Sequence, residues 1–200
     1  MKRARSTQEI ERIREFILDQ ALDIIVHQGL DGLTMRTLAA RTNMTAPNLY
    51  NYYSGKDELY LSIVVKGFEM LQSGLETACA KYDNKTARAK AMIQAYVDFG
   101  LNQPRYYDIM FTLPTPKYND YVGTPHEALS ATEYRISLEI FQLAGTVAGD
   151  ILEDAGDADI LQRRIIQVWS LLHGMISLHN STVVSYVADD IHQVYTDIIN

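Results

Sequence analysis

Apolar residues recur three and four positions apart along most of this chain, the period of a helix with one covered face. Ile10, Ile13, Ile17, Ala21 and Ile24 form the first stripe, over about Gln8 to Gln28. Gly29 is its expected end, because glycine accepts left-handed backbone freely. Two very short helical pieces follow, then a long helix from about Lys56 to Lys81 and a break at "DNKT". Thr86 is read as the cap of a helix reaching about Leu101, and Pro104 as the start of a short one. "TLPTPKYNDYVGTP", Thr112 to Pro125, reads as a loop because it holds three of the five prolines. A long helix is expected from about His126 to Asp154, weakened in the middle by Gly145 and Gly149. "EDAGDAD" interrupts the chain, and helices of about Ala158 to Asn180 and Val187 to Ile199 close it. No alternation of period two persists, so the fold class is all-α.

The two short pieces carry the clearest local chemistry. Thr34 can cap free N–H groups, with Leu33 stapled onto Leu38 across the first turn. Leu38 and Ala39 face inward, and Asn43 takes the turn as the non-glycine residue that best tolerates positive φ. Thr45 caps the next piece, with Ala46 and Pro47 in its first turn, where a missing N–H costs nothing. Leu49 points to the core, which leaves Ala46, Pro47, Asn48, Tyr50 and Tyr52 outside. Ser54 with Asp57 is a capping signal for the long helix at Lys56. Two short helices joined by a tight turn, the second with an exposed polar face, describe a helix-turn-helix, whose second helix enters the DNA major groove.

Charge changes the picture only when it is divided along the chain. The net charge is −7. Residues 1–60 hold eight basic and eight acidic side chains, so the later residues carry the whole imbalance. Thr34 to Lys56 contains no acidic residue, while Arg36, Arg41 and Lys56 are basic. A near-neutral head on an acidic body can touch phosphates with the head alone. The basic tail (Lys2, Arg3, Arg5) either tracks a neighbouring groove or stays solvated.

"ALDIIVHQGLDGLTMRTLAARTNMTAPNLYNYYSGKDEL" closely resembles the DNA-binding domain of TetR/AcrR-type transcriptional regulators. Leu33-Thr34, Leu38-Ala39, Leu49-Tyr50, Tyr52-Tyr53, Lys56 and Leu59 stand in register with it. Asn43 replaces the usual turn glycine, and Tyr52 a frequent histidine. The resemblance implies base-reading positions at Arg36, Ala46, Pro47 and Asn48, and sugar-phosphate contacts at Thr34, Met35, Tyr50, Tyr52 and Lys56. Thr45, the cap of the second helix, is counted with them. Side-chain chemistry agrees: Arg36 suits guanine, Asn48 suits adenine, and Ala46 or Pro47 suits a thymine methyl. Packing within the small domain is the other reading of Tyr50 and Tyr52, and the preferred one for Tyr53.

The remainder resembles one branch of the same family, named for a W-H-G pattern, here "VWSLLHGMISLH" with Trp169, His173 and Gly174, preceded by "PRYYDIMFTLP". Residues 1–55 are accordingly expected to form a helix-turn-helix domain of three helices, and 56–200 a larger helical ligand-binding and dimerisation domain. Trp169, His173 and Ile176 share one helical face, and Leu161, Ile165, Val168, Leu172 and Met175 a neighbouring one. With Ile191, Val194 and Ile198 of the last helix, the second face is expected to form a homodimer interface, a symmetric four-helix bundle. The resemblance implies an effector cavity between helices, for which Tyr96, Phe99, Tyr107, Met110, Phe111, Tyr134, Phe141, Trp169 and His173 are candidates. An ordinary core would look the same.

No catalytic pairing, phosphate loop or metal-ligand spacing stands out, so neither an enzyme, a cofactor nor a metal is expected. His173 and His179 are six apart and do not share a helix face. Cys79 is the one cysteine, which fits a reducing cytoplasm. No stretch of about eighteen apolar residues suggests a membrane span. The expected function is a cytoplasmic, dimeric repressor that leaves double-stranded operator DNA when an unknown small molecule binds. The alternative is a helical small-molecule-binding protein with a vestigial head.

Overall fold

The computed structural model describes residues 6–152 and 156–187, and every regular element among them is helical. Helix α1 (Thr7–Gly32) opens on a reciprocal cap: Glu9 N–H donates to Ser6 Oγ at 3.2 Å, and Ser6 N–H to Glu9 Oε2 at 2.7 Å. Its stripe buries Ile17, Ala21 and Ile24, while Ile10 is exposed. At Gly29 the backbone leaves helical geometry, with φ 73° and ψ 171°, angles open essentially to glycine alone. One further turn then ends at Gly32. The tail with Lys2, Arg3 and Arg5 lies outside the described residues.

Then come α2 (Met35–Thr42), α3 (Ala46–Leu49), α4 (Lys56–Cys79), α5 (Lys85–Asn102) and α6 (Pro104–Tyr107). The last runs directly into a π-helical turn, Asp108–Thr112. Beyond it lie α7 (Tyr118–Tyr121), α8 (Glu127–Gly149), α9 (Ala158–Asn180) and a 3₁₀ turn, Val183–Tyr186. The expected final helix, with Ile191, Val194 and Ile198, falls outside the described residues.

Several ends differ from the sequence-based expectation. Asn84, not Thr86, caps α5, its Oδ1 accepting the Ala87 amide at 2.9 Å, since the asparagine amide is the stronger cap. Helix α8 stops at Gly149 instead of Asp154. Asp150 just beyond is 3.3 Å from both Lys85 and Arg88, which draws the chain towards α5. At the start of α4 the Glu58 carboxylate accepts the Ser54 amide at 2.6 Å, whereas Asp57 accepts the Tyr121 hydroxyl at 3.3 Å. The expected loop of residues 112–125 contains α7.

Contacts divide the chain into two compact units, residues 1–67 with 105–134, and 68–104 with 135–200. Helices α4 and α8 each contribute to both. In the first unit, Ile17, Leu22, Ile25, Leu33, Leu38, Leu49 and Leu59 are buried around the short helices. Tyr60 is buried too: its hydroxyl donates to the Pro116 carbonyl at 2.7 Å, and burial pushes the phenol up to about 12.

In the second unit α5 and α9 lie side by side. Trp169 Nε1 donates to Tyr96 Oη at 2.8 Å, and Asn180 Nδ2 to the Gly100 carbonyl at 3.1 Å. Both pairings advance in the same sense, so the two helices run parallel along this contact. Gly100 makes the approach possible, since a Cβ there would stand 2.6 Å from Ile176 Cδ1. Gly100→Ala should gain about 1 kcal/mol of helix propensity and lose about 1–3 kcal/mol to overpacking. The clash should win, lowering the urea midpoint, and Ile176→Val in the same chain should recover most of the loss. A stability at or above that of the wild type would show that Ile176 simply moves aside.

Candidate nucleic-acid interface

Thr34 begins α2 as its cap: the Thr37 amide donates to Thr34 Oγ1 at 3.0 Å, and Thr37 Oγ1 answers the Thr34 amide at 2.9 Å. The Thr37 hydroxyl also reaches the Gly32 carbonyl at 2.9 Å, tying α2 to the end of α1. Leu33 and Leu38 are both fully buried, as the staple requires. Asn43 adopts left-handed angles, φ 54° and ψ 36°, and its N–H closes α2 on the Ala39 carbonyl. Thr45 Oγ1 faces the Asn48 amide at 3.4 Å, and Pro47 sits in the first turn of α3. Helix-type bonds continue past Leu49, with the Tyr52 and Tyr53 amides donating to the Leu49 carbonyl at 2.9 and 3.1 Å.

The face expected to meet DNA is mostly outward. Thr34, Arg36, Thr45, Pro47 and Tyr50 are exposed, Tyr50 at 55%, and Met35, Ala46, Asn48 and Lys56 are half-buried. Arg36 makes no hydrogen bond or ion pair with another described residue, so its guanidinium is available. Lys56 Nζ is 3.4 Å from the exposed Asp31 carboxylate. Such a surface pair is worth about 0–1 kcal/mol and exchanges readily for a phosphate.

Tyr52 is the correction. Expected outside, it is only 7% exposed, because the turn after α3 swings it inward beside Tyr53. Arg41 also leaves the basic patch. Its Nη2 pairs with Asp23 of α1, and its Nε donates to Gln20 at 3.0 Å. Arg14, which the sequence did not single out, matters more than either. It donates to the Tyr52 carbonyl, and its guanidinium lies 4.2 Å from the centroid of the Tyr53 ring. A basic residue on the half-covered edge of the first stripe was the only available signal.

The nine cavity candidates are shared between the units. Tyr107, Met110, Phe111 and Tyr134 belong to the first, and Tyr96, Phe99, Phe141, Trp169 and His173 to the second. Tyr107 and Phe111 have ring centroids 5.0 Å apart, and Tyr134 stacks on Tyr118 at 4.8 Å. Tyr134 and Trp169 are each nearly half-exposed, whereas Tyr96, Phe99, Tyr107 and Met110 are buried.

The α9 face expected to dimerise needs a second correction. Leu172 and Met175 are buried within the chain, and a Cβ on Gly145 would lie 3.9 Å from Ile165, which therefore faces α8. Leu172, Met175 and Ile176 thus turn inward, with Ile165 against α8 and Leu161 half-buried along the same line. Ile166 and Trp169 lie half-exposed on one flank of this stripe and Leu171 and Leu178 on the other, while Val168, expected on the same face as Leu172, stays half-exposed. Both faces of the helix are apolar in sequence, so spacing could not say which turns inward. No group of three or more potential metal ligands occurs among the described residues, and no helix there is long and apolar enough to cross a membrane.

A three-helix module with a capped second helix, a left-handed turn and an outward third helix is a helix-turn-helix, here joined to a helical body. Residues 17–63 match the family model for bacterial regulatory proteins of the tetR family, and residues 89–199 match that of the tetracyclin repressor-like C-terminal domain. The chain belongs to the TetR family of transcriptional regulators. It is 30% identical over 112 residues to the HTH-type transcriptional activator FasR of Mycolicibacterium smegmatis, covering 56% of this chain and 48% of that protein. It thus spans about half the length of that relative. Over 93% of this chain and 78% of the other, it is 23% identical to the uncharacterized HTH-type transcriptional regulator Rv0681 of Mycobacterium tuberculosis. The crystal structure of the regulatory protein SCO4313 superposes with a TM-score of 0.74 at 21% identity, covering 98% and 97% of the two chains, a likeness of fold.

The turn gives a local test. Asn43→Ala should cost about 1–2 kcal/mol in chemical denaturation, because alanine pays the full left-handed penalty, whereas Asn43→Gly should stay close to wild type. Equal losses for both would mean that the asparagine side chain, not its backbone, holds the turn.

Proposed function

We propose that this regulator binds operator DNA as a homodimer, α3 entering the major groove and α2 crossing the backbone, and that it represses until a small molecule bound in the body releases it. The observation that carries the DNA reading is the outward face of α2 and α3, where Arg36 stands unengaged while Leu33, Leu38 and Leu49 are buried beneath. Arg36, Ala46, Pro47 and Asn48 read bases. Thr34, Met35, Thr45, Tyr50 and Lys56 hold sugar and phosphate. Tyr52 contributes by placing Tyr50 and Lys56 on either side of it.

The half-exposed Val168, Leu171 and Leu178, which share one side of α9, support the dimer, since a second copy would cover them. The effector lies in the body, where Tyr96 and Trp169 already present a linked hydroxyl and indole among apolar neighbours. FasR is named an activator, so the sign of control is decided by a promoter reporter: deletion raises expression from a repressed promoter and lowers it from an activated one.

Two sets of variants test this reading. Lys56→Ala and Tyr50→Phe should weaken binding to all DNA sequences alike, and Lys56→Ala should lower the salt slope by about one per subunit. Arg36→Ala should relax preference at one base pair per half-site by about 1–3 kcal/mol. Equal losses on selected and random DNA would remove Arg36 from base reading. In the second set, Val168→Asp with Leu171→Asp should give folded monomers in sedimentation that no longer hold operator DNA. Persistent dimers would place the interface elsewhere.

A further inference from the structure

Three elements of the first unit meet at one carboxylate. Asp23 Oδ1 on α1 accepts from Arg105 Nη1 at 2.8 Å, and its Oδ2 accepts from Arg41 Nη2 on α2. Arg105 Nη2 also donates to Asp19 Oδ1 at 2.9 Å, one turn earlier on α1. A planar guanidinium can grip two carboxylates in this way, whereas an ammonium holds one direction at a time. Burial would raise the Asp23 carboxyl, but the Arg105 hydrogen bond and the nearby charges of Arg41, Arg105 and His27 outweigh it and hold the group below its ordinary value.

The place of Arg105 in the chain gives this bridge a purpose. It follows Pro104, where the chain passes from the second compact unit into the first. The next turn, Asp108–Thr112, is π-helical, closed by the Leu113 amide on the Asp108 carbonyl at 2.8 Å. A π turn holds one extra residue, and losing it rotates the side chains beyond it by about 100°. Gly67 of α4 leaves a notch for this segment, since a Cβ there would stand 2.5 Å from Met110 Sδ and 3.2 Å from Tyr106 Cδ1. The segment is therefore seated by shape on α4 and by charge on α1. The charged side continues to α2 through Arg41.

We propose that Arg105 is a coupling residue: through the shared carboxylate of Asp23 it transmits the position of residues 104–112 to α2, and so sets the seat of the helix-turn-helix. The proposal rests on the reading of the chain as a DNA-binding regulator. Its two arrangements are a bridge formed and a bridge broken, and coupling requires an element of that two-state kind. Arg105 is a positioning residue and makes no contact with DNA.

The test uses the full chain, hydrogen exchange followed by mass spectrometry, and the DNA fragment that the wild type selects from a random pool. Arg105→Ala should speed exchange in residues 35–42 as well as in 104–112. It should weaken binding to the selected fragment by about threefold to tenfold, within the reach of a partly exposed ion pair in a network. The salt slope should not change, because no phosphate contact is lost. Arg105→Lys should restore part of both effects and guards against mere misfolding of the alanine variant. Combining Arg105→Ala with Arg41→Ala should give less than the sum of the single effects, since both act through Asp23. Faster exchange confined to 104–112, or additive losses in the double variant, overturns the proposal. Should the wild type select no DNA sequence, the regulator reading fails, while the exchange arm still decides whether Arg105 governs α2.

Discussion

Arg14 reaches from α1 to the Tyr52 carbonyl and lays its guanidinium on the Tyr53 ring, and on this double contact the placement of α3 depends. Helix α3 has four residues, too few to offset the cost of starting a helix. It persists because both ends are held from outside. Thr45 caps the start, Leu49 is fully buried in the middle, and Arg14 fastens the turn that follows. The Tyr53 hydroxyl, donating back to the Arg14 carbonyl at 3.4 Å, closes the same link. An outward face on so short an element can be precise only because its inward side is anchored at three points.

The same economy governs charge. Of the three basic residues in the acid-free stretch, Arg41 is committed to Asp23 and Gln20, and Lys56 rests on an exposed Asp31. Arg36 alone stands unengaged among the described residues. One head therefore offers few phosphate contacts, and each adds only about one unit to the salt slope. In the proposed dimer, two heads held at a fixed separation would convert the second contact into an intramolecular event, which raises affinity without new chemistry. On the proposed reading, the acidic body would keep the rest of the surface away from DNA and confine binding to the outward face of α2 and α3.

Fold and function separate cleanly in this chain. The likeness to SCO4313 extends over nearly the whole length at 21% identity, and it establishes helices and their order. Function resides in particular side chains placed on that frame. A tyrosine where histidine is frequent illustrates the point. At Tyr52 the backbone carbonyl receives Arg14, while the ring is turned inward.

The chain's order of residues determined by itself the all-α class, the stop at Gly29, the left-handed turn at Asn43, the caps at Thr34 and Thr45, and most helix boundaries. Each of these is a local matter, settled by backbone angles or by hydrogen bonds within a few residues. Spacing also located the outward face of the short helices, since Leu33, Leu38 and Leu49 leave only one side for the core. Tertiary structure alone decided how α9 is seated, because Leu172 and Trp169 both lie on apolar faces, and the close approach of α5 at Gly100 takes Ile176, from the face of Trp169, into the core beside Leu172 and Met175. It also decided that Arg41 and Arg105 share Asp23, a meeting of residues 18 and 82 positions away from it. Charge carries no periodicity that marks its partner, so an ion pair across the fold stays illegible until the helices are packed.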